Sequence, residues 1–155
     1  MTKDEKAKEL MREALIESFN KDVPFNTILG LEINSTFETS EVRMKMKPEL
    51  VGNVFHKVLH GGVISAVLDA TGAIVAIVNA SQKLMGKSPE DFKKRLFGIS
   101  TIDLRIDYLS PGFGEEFIAK AHLIRRGAKV AVVGMELKNE KDDLIAIGRA
   151  TYLVG

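Results

Sequence analysis

The chain of 155 residues contains no cysteine, so it has neither a disulfide framework nor a thiolate site. A surplus of charge of one sign is also lacking: 22 Lys and Arg against 21 Asp and Glu leave a formal net charge of +1. No global field therefore draws the protein to nucleic acid or to an anionic membrane. The three histidines, His56, His60 and His122, lack metal-ligand spacing, and no metal site is expected. The opening residues, MTKDEKAKEL, are charged and have no apolar core of the signal-peptide kind, so the cytoplasm is the expected compartment. There is no internal repeat and no low-complexity segment. What is present is 45% hydrophobic content in a length that suits one domain with a substantial core.

The most informative residue stands in the middle of that apolar content. Val63 to Ala80 is eighteen residues long and carries one ionisable side chain, Asp69, directly after His60-Gly61-Gly62. Burying a carboxylate without partners costs several kcal/mol, so a chain that keeps one there uses it for packing specificity or for chemistry. On a helical wheel Val63, Ile64, Val67, Leu68, Thr71, Ile74, Val75 and Val78 form one continuous arc. The other arc holds Ser65, Ala66, Asp69, Gly72, Ala73 and Ala76, all small except the aspartate. A helix that is apolar nearly all round is a buried one. One face is bulky core, and the other lets a second backbone or a ligand approach Asp69. A membrane span is the competing reading of such a run; the mid-helix charge and the strand-rich remainder argue against it.

Elsewhere the periodicities alternate between helix and strand. Thr2 to Asn20 reads as an amphipathic helix with Leu10, Met11, Ala14, Leu15 and Phe19 on one face. It sets an N-terminal helical unit (1–22) apart from the main domain (23–155). Glu32 to Lys47 reads as a hairpin turning near Glu38 to Ser40, and Pro48 to Leu59 as irregular chain. Gln82 to Leu96 is polar and lysine-rich, with a helix start at Ser88-Pro89-Glu90. From Ile99 the pattern is strand: Ile102, Leu104, Ile106 and Tyr108 alternate with Thr101, Asp103, Arg105 and Asp107. Three further strands follow, turning at Arg126-Gly127-Ala128 and at Asn139 to Asp143, and the four are expected to form a meander. One buried helix against a large antiparallel sheet is an α+β layout.

That order, together with HGGVISAVLDATGAIVA from His60 and IDLRIDYLSPG from Ile102, resembles the hotdog-fold acyl-CoA thioesterases of the phenylacetate-degradation (PaaI-like) type. The resemblance extends from Gly30 to Leu153. It implies a hotdog fold, in which an antiparallel sheet wraps a long central helix, with the N-terminal helix as an addition. It implies hydrolysis of an acyl-CoA to free acid and coenzyme A with no cofactor, since coenzyme A is part of the substrate. In such enzymes the Gly61 amide would polarise the thioester carbonyl, and Asp69 of a neighbouring subunit would activate water or attack directly. Thr101, counted back from Tyr108-Leu109-Ser110-Pro111, aligns with a hydroxyl that helps place the water. His60 would position the helix start. The family's asparagine lies six or so residues before that histidine; Val54 fills the spot here and Asn53 stands one earlier. The family also implies a homodimer, and a homotetramer built from two of them, with neither nucleic acid nor membrane insertion.

Geometry supports the shared site independently. Asp69 lies eight residues beyond Gly61, about 12 Å along a helix, too far for both to act on one carbonyl. The free N–H groups of a helix start suit a developing oxyanion, and an antiparallel second helix closes the gap in both directions. Arg125, Arg126 and Lys129 flank a turn that lies near the coenzyme A phosphates in this family; arginine suits phosphate, although such cations also simply solvate hairpins. Thr101 can equally be an ordinary strand hydroxyl, and Gln82 to Leu96 either shapes the acyl pocket or covers a sheet edge. The composition leans toward a medium or long aliphatic acyl group. A hotdog dehydratase acting on 3-hydroxyacyl thioesters would use a histidine, for which His60 is available, but the HGG and aspartate spacing fits a hydrolase better. A non-catalytic acyl-CoA sensor would need a DNA-binding module, and no recognition helix or basic stripe is present.

Overall fold

In the computed structural model, which describes residues 1–155, the amphipathic N-terminal segment forms helix α1 (Lys3–Lys21). Its start is a capping box: Thr2 Oγ1 accepts from the Glu5 amide at 3.2 Å, and the Glu5 carboxylate accepts from the Thr2 amide at 2.7 Å. Leu15 and Phe19 pack against the core, but Leu10 and Ala14 face solvent, and Ile16 and Asn20 lie on the docked side instead. The docked face is set by polar stitches to strand β1 (Glu32–Ser35) as much as by apolar residues. Asn20 donates to Ile33 O and accepts from Ile33 N, and Arg12 donates to Ser35 O at 2.6 Å. These side chains satisfy the outer backbone groups of an edge strand, which would otherwise invite pairing with another chain. A short helix α2 (Pro24–Leu29) intervenes and ends at Gly30, whose φ of 71° is the left-handed cap conformation glycine tolerates.

Strand β1 turns into β2 (Thr39–Lys45) through Thr36 to Glu38, slightly earlier than the alternation suggests, because the Thr36 hydroxyl accepts from the Glu38 and Thr39 amides. The stretch expected to be irregular holds a 3-10 turn (Pro48–Leu50) and two very short paired strands, β3 (Val51–Asn53) and β4 (Val58–Leu59). Such short elements leave no readable period. The long apolar run is helix α3 (Gly61–Ser81). Ile64, Val67, Leu68, Thr71, Ile74, Val75 and Val78 are buried, while Ser65, Ala66, Asp69, Ala70 and Ala73 are half-buried. Gly72 and Ala76, on the small arc, are nonetheless buried. This is the one helix long and apolar enough to cross a membrane, and half of its apolar window is buried against the rest of the fold. After it come α4 (Pro89–Phe97), capped by Ser88 as its sequence indicates and with no buried residue, and then β5 (Ser100–Tyr108), β6 (Glu116–Arg126), β7 (Val130–Asn139) and β8 (Leu144–Leu153).

The sheet is antiparallel with the order β1-β2-β6-β7-β8-β5. The last three strands form a meander, but β5 is not part of it: it pairs with β8 and occupies the far edge. Alternation identifies strands without naming their neighbours, and here the β5–β6 connection is pinned elsewhere. Gly112 O accepts from the Leu59 amide at 3.0 Å, and a side chain at Gly112 would collide with Leu59. The chain thus passes the start of α3 before entering β6.

Two β-bulges decide which side chains face the helix. Thr101 pairs with Tyr152 and Asp103 with Thr151, so Ile102 has no partner on β8. Leu123 pairs with Val133 and Arg125 with Val132, so Ile124 has none on β7. One extra residue reverses the parity of a strand. Hence Thr101 joins Leu104 and Ile106 on the helix side, and Arg126, rather than Arg125, continues the inward series of Phe117, Ala119, Ala121 and Leu123. The bulge residues themselves are turned out, Ile102 being 55% and Ile124 50% exposed.

Candidate active site

The start of α3 leaves one amide unused. The His60 amide donates to Leu50 O, the Gly62 amide to His60 Nδ1 at 2.8 Å, and the Val63 and Ile64 amides to His60 O. Gly61 is the first helical residue, and its N–H has no partner within the chain. It stands at the positive end of the helix dipole, an arrangement suited to an oxygen that gains negative charge. The turn is held firmly. Ser65 Oγ and Tyr108 Oη both donate to Gly61 O, at 2.9 and 3.2 Å, and the two hydroxyls lie 2.8 Å apart. His60 is the N-cap, its Nδ1 taken by the Gly62 amide. Its backbone is backed by Gly52, where any Cβ would strike His60 Cα.

Two turns further along α3, Asp69 is met by two donors. Thr101 Oγ1 donates to Asp69 Oδ1 at 3.0 Å, and Tyr152 Oη lies 3.2 Å from the same oxygen and 3.0 Å from the Asp69 backbone carbonyl. Oδ2 accepts no hydrogen bond and is open to solvent. No cation pairs with this carboxylate. Tyr152 is fully buried, and burial first, the Asp69 charge second, push its phenol far above its ordinary range. It is therefore a neutral donor at any working pH. The site thus has an anchored carboxylate oxygen, an open one, and a free amide about 12 Å away along the same helix.

The other residues singled out in the sequence are placed apart. Asn53 ends β3, and its Oδ1 accepts from the Phe55 and His56 amides of the following turn at 3.0 and 3.2 Å. Its carbonyl oxygen is thus committed to its own turn. Arg125 and Lys129 are exposed at the β6–β7 hairpin, whereas Arg126 is half-buried, makes no salt bridge, and has its pKa lowered by burial. Arg126, Ala131, Tyr152 and Thr101 form one row across β6, β7, β8 and β5. Sequence reasoning missed Tyr152, Ser65 and the Tyr108 hydroxyl. One signal was available for Tyr152: Gly72, a glycine inside a buried helix three residues after the carboxylate, is unfavourable there unless something must come close.

A cavity of about 450 Å³ opens beside the helix start. Phe25, Ile28, Leu29, Leu50, Val63 and Ala66 form its apolar walls, and His60, Gly62, Lys47 and Glu49 complete the lining. Lys47 Nζ donates to Ile28 O and so ties α2 to the end of β2. A larger open trough of about 750 Å³ lies along the strands among Glu41, Lys120, His122 and Glu136. None of Gly61, Asp69, Thr101 and Tyr152 lines it.

A helix start with a free glycine amide, an aspartate two turns on, and an antiparallel sheet wrapped around that helix define a hotdog thioesterase. The chain belongs to the thioesterase superfamily: the family model matches residues 56–146. It is accordingly a thioester hydrolase. It is 41% identical over 140 residues to the medium/long-chain acyl-CoA thioesterase YigI of Escherichia coli K12, covering 90% of either chain. A crystal structure from Shewanella oneidensis, described as related to the thioesterase superfamily, superposes with a TM-score of 0.89 at 39% identity, over 96% of this chain and 98% of that one. The E. coli PaaI protein of the phenylacetic acid degradation operon shares the fold, with a TM-score of 0.74 at 19% identity over 93% of each chain.

Proposed function

We propose that the protein hydrolyses acyl-CoA thioesters with medium or long aliphatic acyl groups, in a site that two subunits build together. The observation that carries this reading is the pairing of an unused Gly61 amide with an Asp69 whose Oδ1 is anchored and whose Oδ2 is open. The thioester carbonyl oxygen accepts from the Gly61 N–H of one subunit. Oδ2 of Asp69 from the other takes a proton from water, whose oxygen attacks the carbonyl carbon. Collapse of the tetrahedral intermediate breaks the carbon–sulfur bond, and the departing coenzyme A thiolate receives the proton. Thr101 keeps the carboxylate in place, and His60 caps the helix start.

The monomer's surface supports a second copy. β5 is a nine-residue edge strand with no partner on its outer side, and long uncovered edges pair. Beside it Ile102, Tyr108, Leu109 and Phe113 are at least half exposed. The half-buried small residues Ala66, Ala70 and Ala73 of α3 allow a helix from another subunit to approach closely. Two such dimers would make the tetramer suggested by the family. The cations of the β6–β7 turn, Arg126 foremost, are assigned to the coenzyme A phosphates.

Chain length rests on the apolar cavity beside Gly62, which lies within the size range of small-molecule sites, and on the specificity that the name of the YigI relative carries. The decisive experiment is a hydrolysis screen from acetyl- to stearoyl-CoA with free-thiol detection. The maximum is expected among medium or long chains, and narrowing the cavity by Ile28→Trp should move it to shorter ones. No thiol release from any acyl-CoA would overturn the proposal, and reversible hydration of an enoyl-CoA without thiol release would replace it with a dehydratase.

A further inference from the structure

Tyr152 and Gly72 are both unfavourable choices for the places they occupy. The Tyr152 ring is fully buried, and a phenol in a core must find a partner for its hydroxyl, a demand phenylalanine would avoid. Gly72 sits inside α3, where glycine is disfavoured against alanine. One contact accounts for both. A Cβ at position 72 would collide with Tyr152 Oη and Met135 Sδ, so the missing side chain is what admits the phenol to the helix surface. Once there, the hydroxyl lies between the Asp69 backbone carbonyl and Asp69 Oδ1. With Thr101 on the same oxygen, the carboxylate is held from two strands, β8 and β5, and only Oδ2 stays free.

We infer that Tyr152 is a positioning residue for hydrolysis: its hydroxyl, let in by Gly72, fixes the rotation of the Asp69 carboxylate so that Oδ2 faces the substrate. The inference rests on the role given to Asp69 above. A purely structural tyrosine, tying β8 to α3 through the backbone carbonyl of residue 69, would affect stability and leave the chemistry alone. The phenol stays protonated because burial and the adjacent carboxylate both oppose its ionisation, so it supplies a donor and never a competing charge.

The test uses Tyr152→Phe and Gly72→Ala, each alone, together, and combined with Asp69→Asn, with steady-state acyl-CoA hydrolysis and thermal melting. Tyr152→Phe keeps the ring. It is expected to lower kcat by about tenfold or more, the effect of a hydrogen bond to a charged group. KM should change by less than about twofold, since binding contacts are untouched. In the Asp69→Asn background, residual turnover measured at high enzyme concentration should fall no further, because the group being positioned is gone. Gly72→Ala should lose kcat in the same way and melt lower. Adding Tyr152→Phe to it should recover part of the lost melting temperature, by removing the nearer of the two atoms that the new methyl strikes.

A Tyr152→Phe enzyme with kcat within about twofold of the parent would overturn the inference, as would an equal proportional loss with asparagine at 69. Comparing the parent with Asp69→Asn tests the site itself separately. Normal turnover by Asp69→Asn removes the carboxylate from the mechanism and Tyr152 with it. An inactive Asp69→Asn beside a fully active Tyr152→Phe removes Tyr152 alone.

Discussion

Thr101 Oγ1 donates a 3.0 Å hydrogen bond to Asp69 Oδ1, joining the edge strand β5 to the middle of α3. The bulge at Ile102 makes this possible by turning Thr101 to the helix side of its strand. Thr101→Val keeps the branched shape and removes the donor, so kcat should fall about tenfold, as for loss of a hydrogen bond to a charged group. Thr101→Ser should retain most of the activity. Deleting Ile102 removes the unpaired residue and leaves Thr101 directly before Asp103, still opposite Tyr152 and on the helix side, so the donor and most of kcat should survive. A Thr101→Val enzyme with parental kcat would show that this hydrogen bond has no part in the chemistry.

Gly61 permits a selective test of the shared site. It is the first residue of α3, where proline is accepted because its missing N–H is unpaired in any helix. Gly61→Pro should therefore fold but lose at least about a hundredfold in kcat, the scale of one oxyanion donor. Asp69→Asn should lose a similar amount while keeping the shape of the carboxylate. Mixed in equal amounts, the two inactive chains should regain roughly a quarter of parental activity, because half the dimers are mixed and each carries one intact site of two. A mixture shown to exchange subunits, yet no more active than its components, would rule out the two-subunit site.

The bulge at Ile124 decides which of two adjacent arginines faces the helix. Arg126 is half-buried on the helix side without an anionic partner, and Arg125 is exposed on the other. If Arg126 meets the coenzyme phosphates, Arg126→Ala should raise KM for acyl-CoA, leave kcat largely intact and flatten the salt dependence of KM. Arg125→Ala should do much less, and a truncated thioester without the nucleotide should be hydrolysed equally well by all three enzymes. Equal effects of the two alanines, or a loss shared by the truncated substrate, would count against a phosphate contact.

The buried phenol also has a signature at alkaline pH. The chain has two tyrosines, so Tyr108→Phe leaves Tyr152 as the only one. Burial, then the Asp69 charge, raise the Tyr152 pKa above its ordinary value, which is about 10. Above about pH 10 the unfolded chain therefore loses a proton that the folded chain keeps, and stability falls as pH rises. Ultraviolet titration of Tyr108→Phe should show phenolate only as the protein unfolds. Stability of a Tyr108→Phe/Tyr152→Phe variant should lack this component of the decline. Phenolate appearing in the folded protein near pH 10 would contradict the burial argument.

Much of this molecule is determined locally. An apolar stretch with one carboxylate and a His-Gly-Gly start is enough to specify a buried helix, a free amide at its first turn and an exceptional residue at its centre. Ser88-Pro89 starts α4 by the same local chemistry, and period-two alternation marks the longer strands. The tertiary structure alone decided which strand lies beside which, and therefore that β5 is an open edge facing α3 rather than the first strand of a meander. It also decided the direction of Thr101 and the choice of Arg126 over Arg125, because an unpaired residue shows itself only against the register of the neighbouring strand. Tyr152 lies 83 residues from Asp69 in sequence. No local period connects them; a helix and a strand had to be brought face to face, with a glycine at the crossing, before a phenol could become the carboxylate's partner.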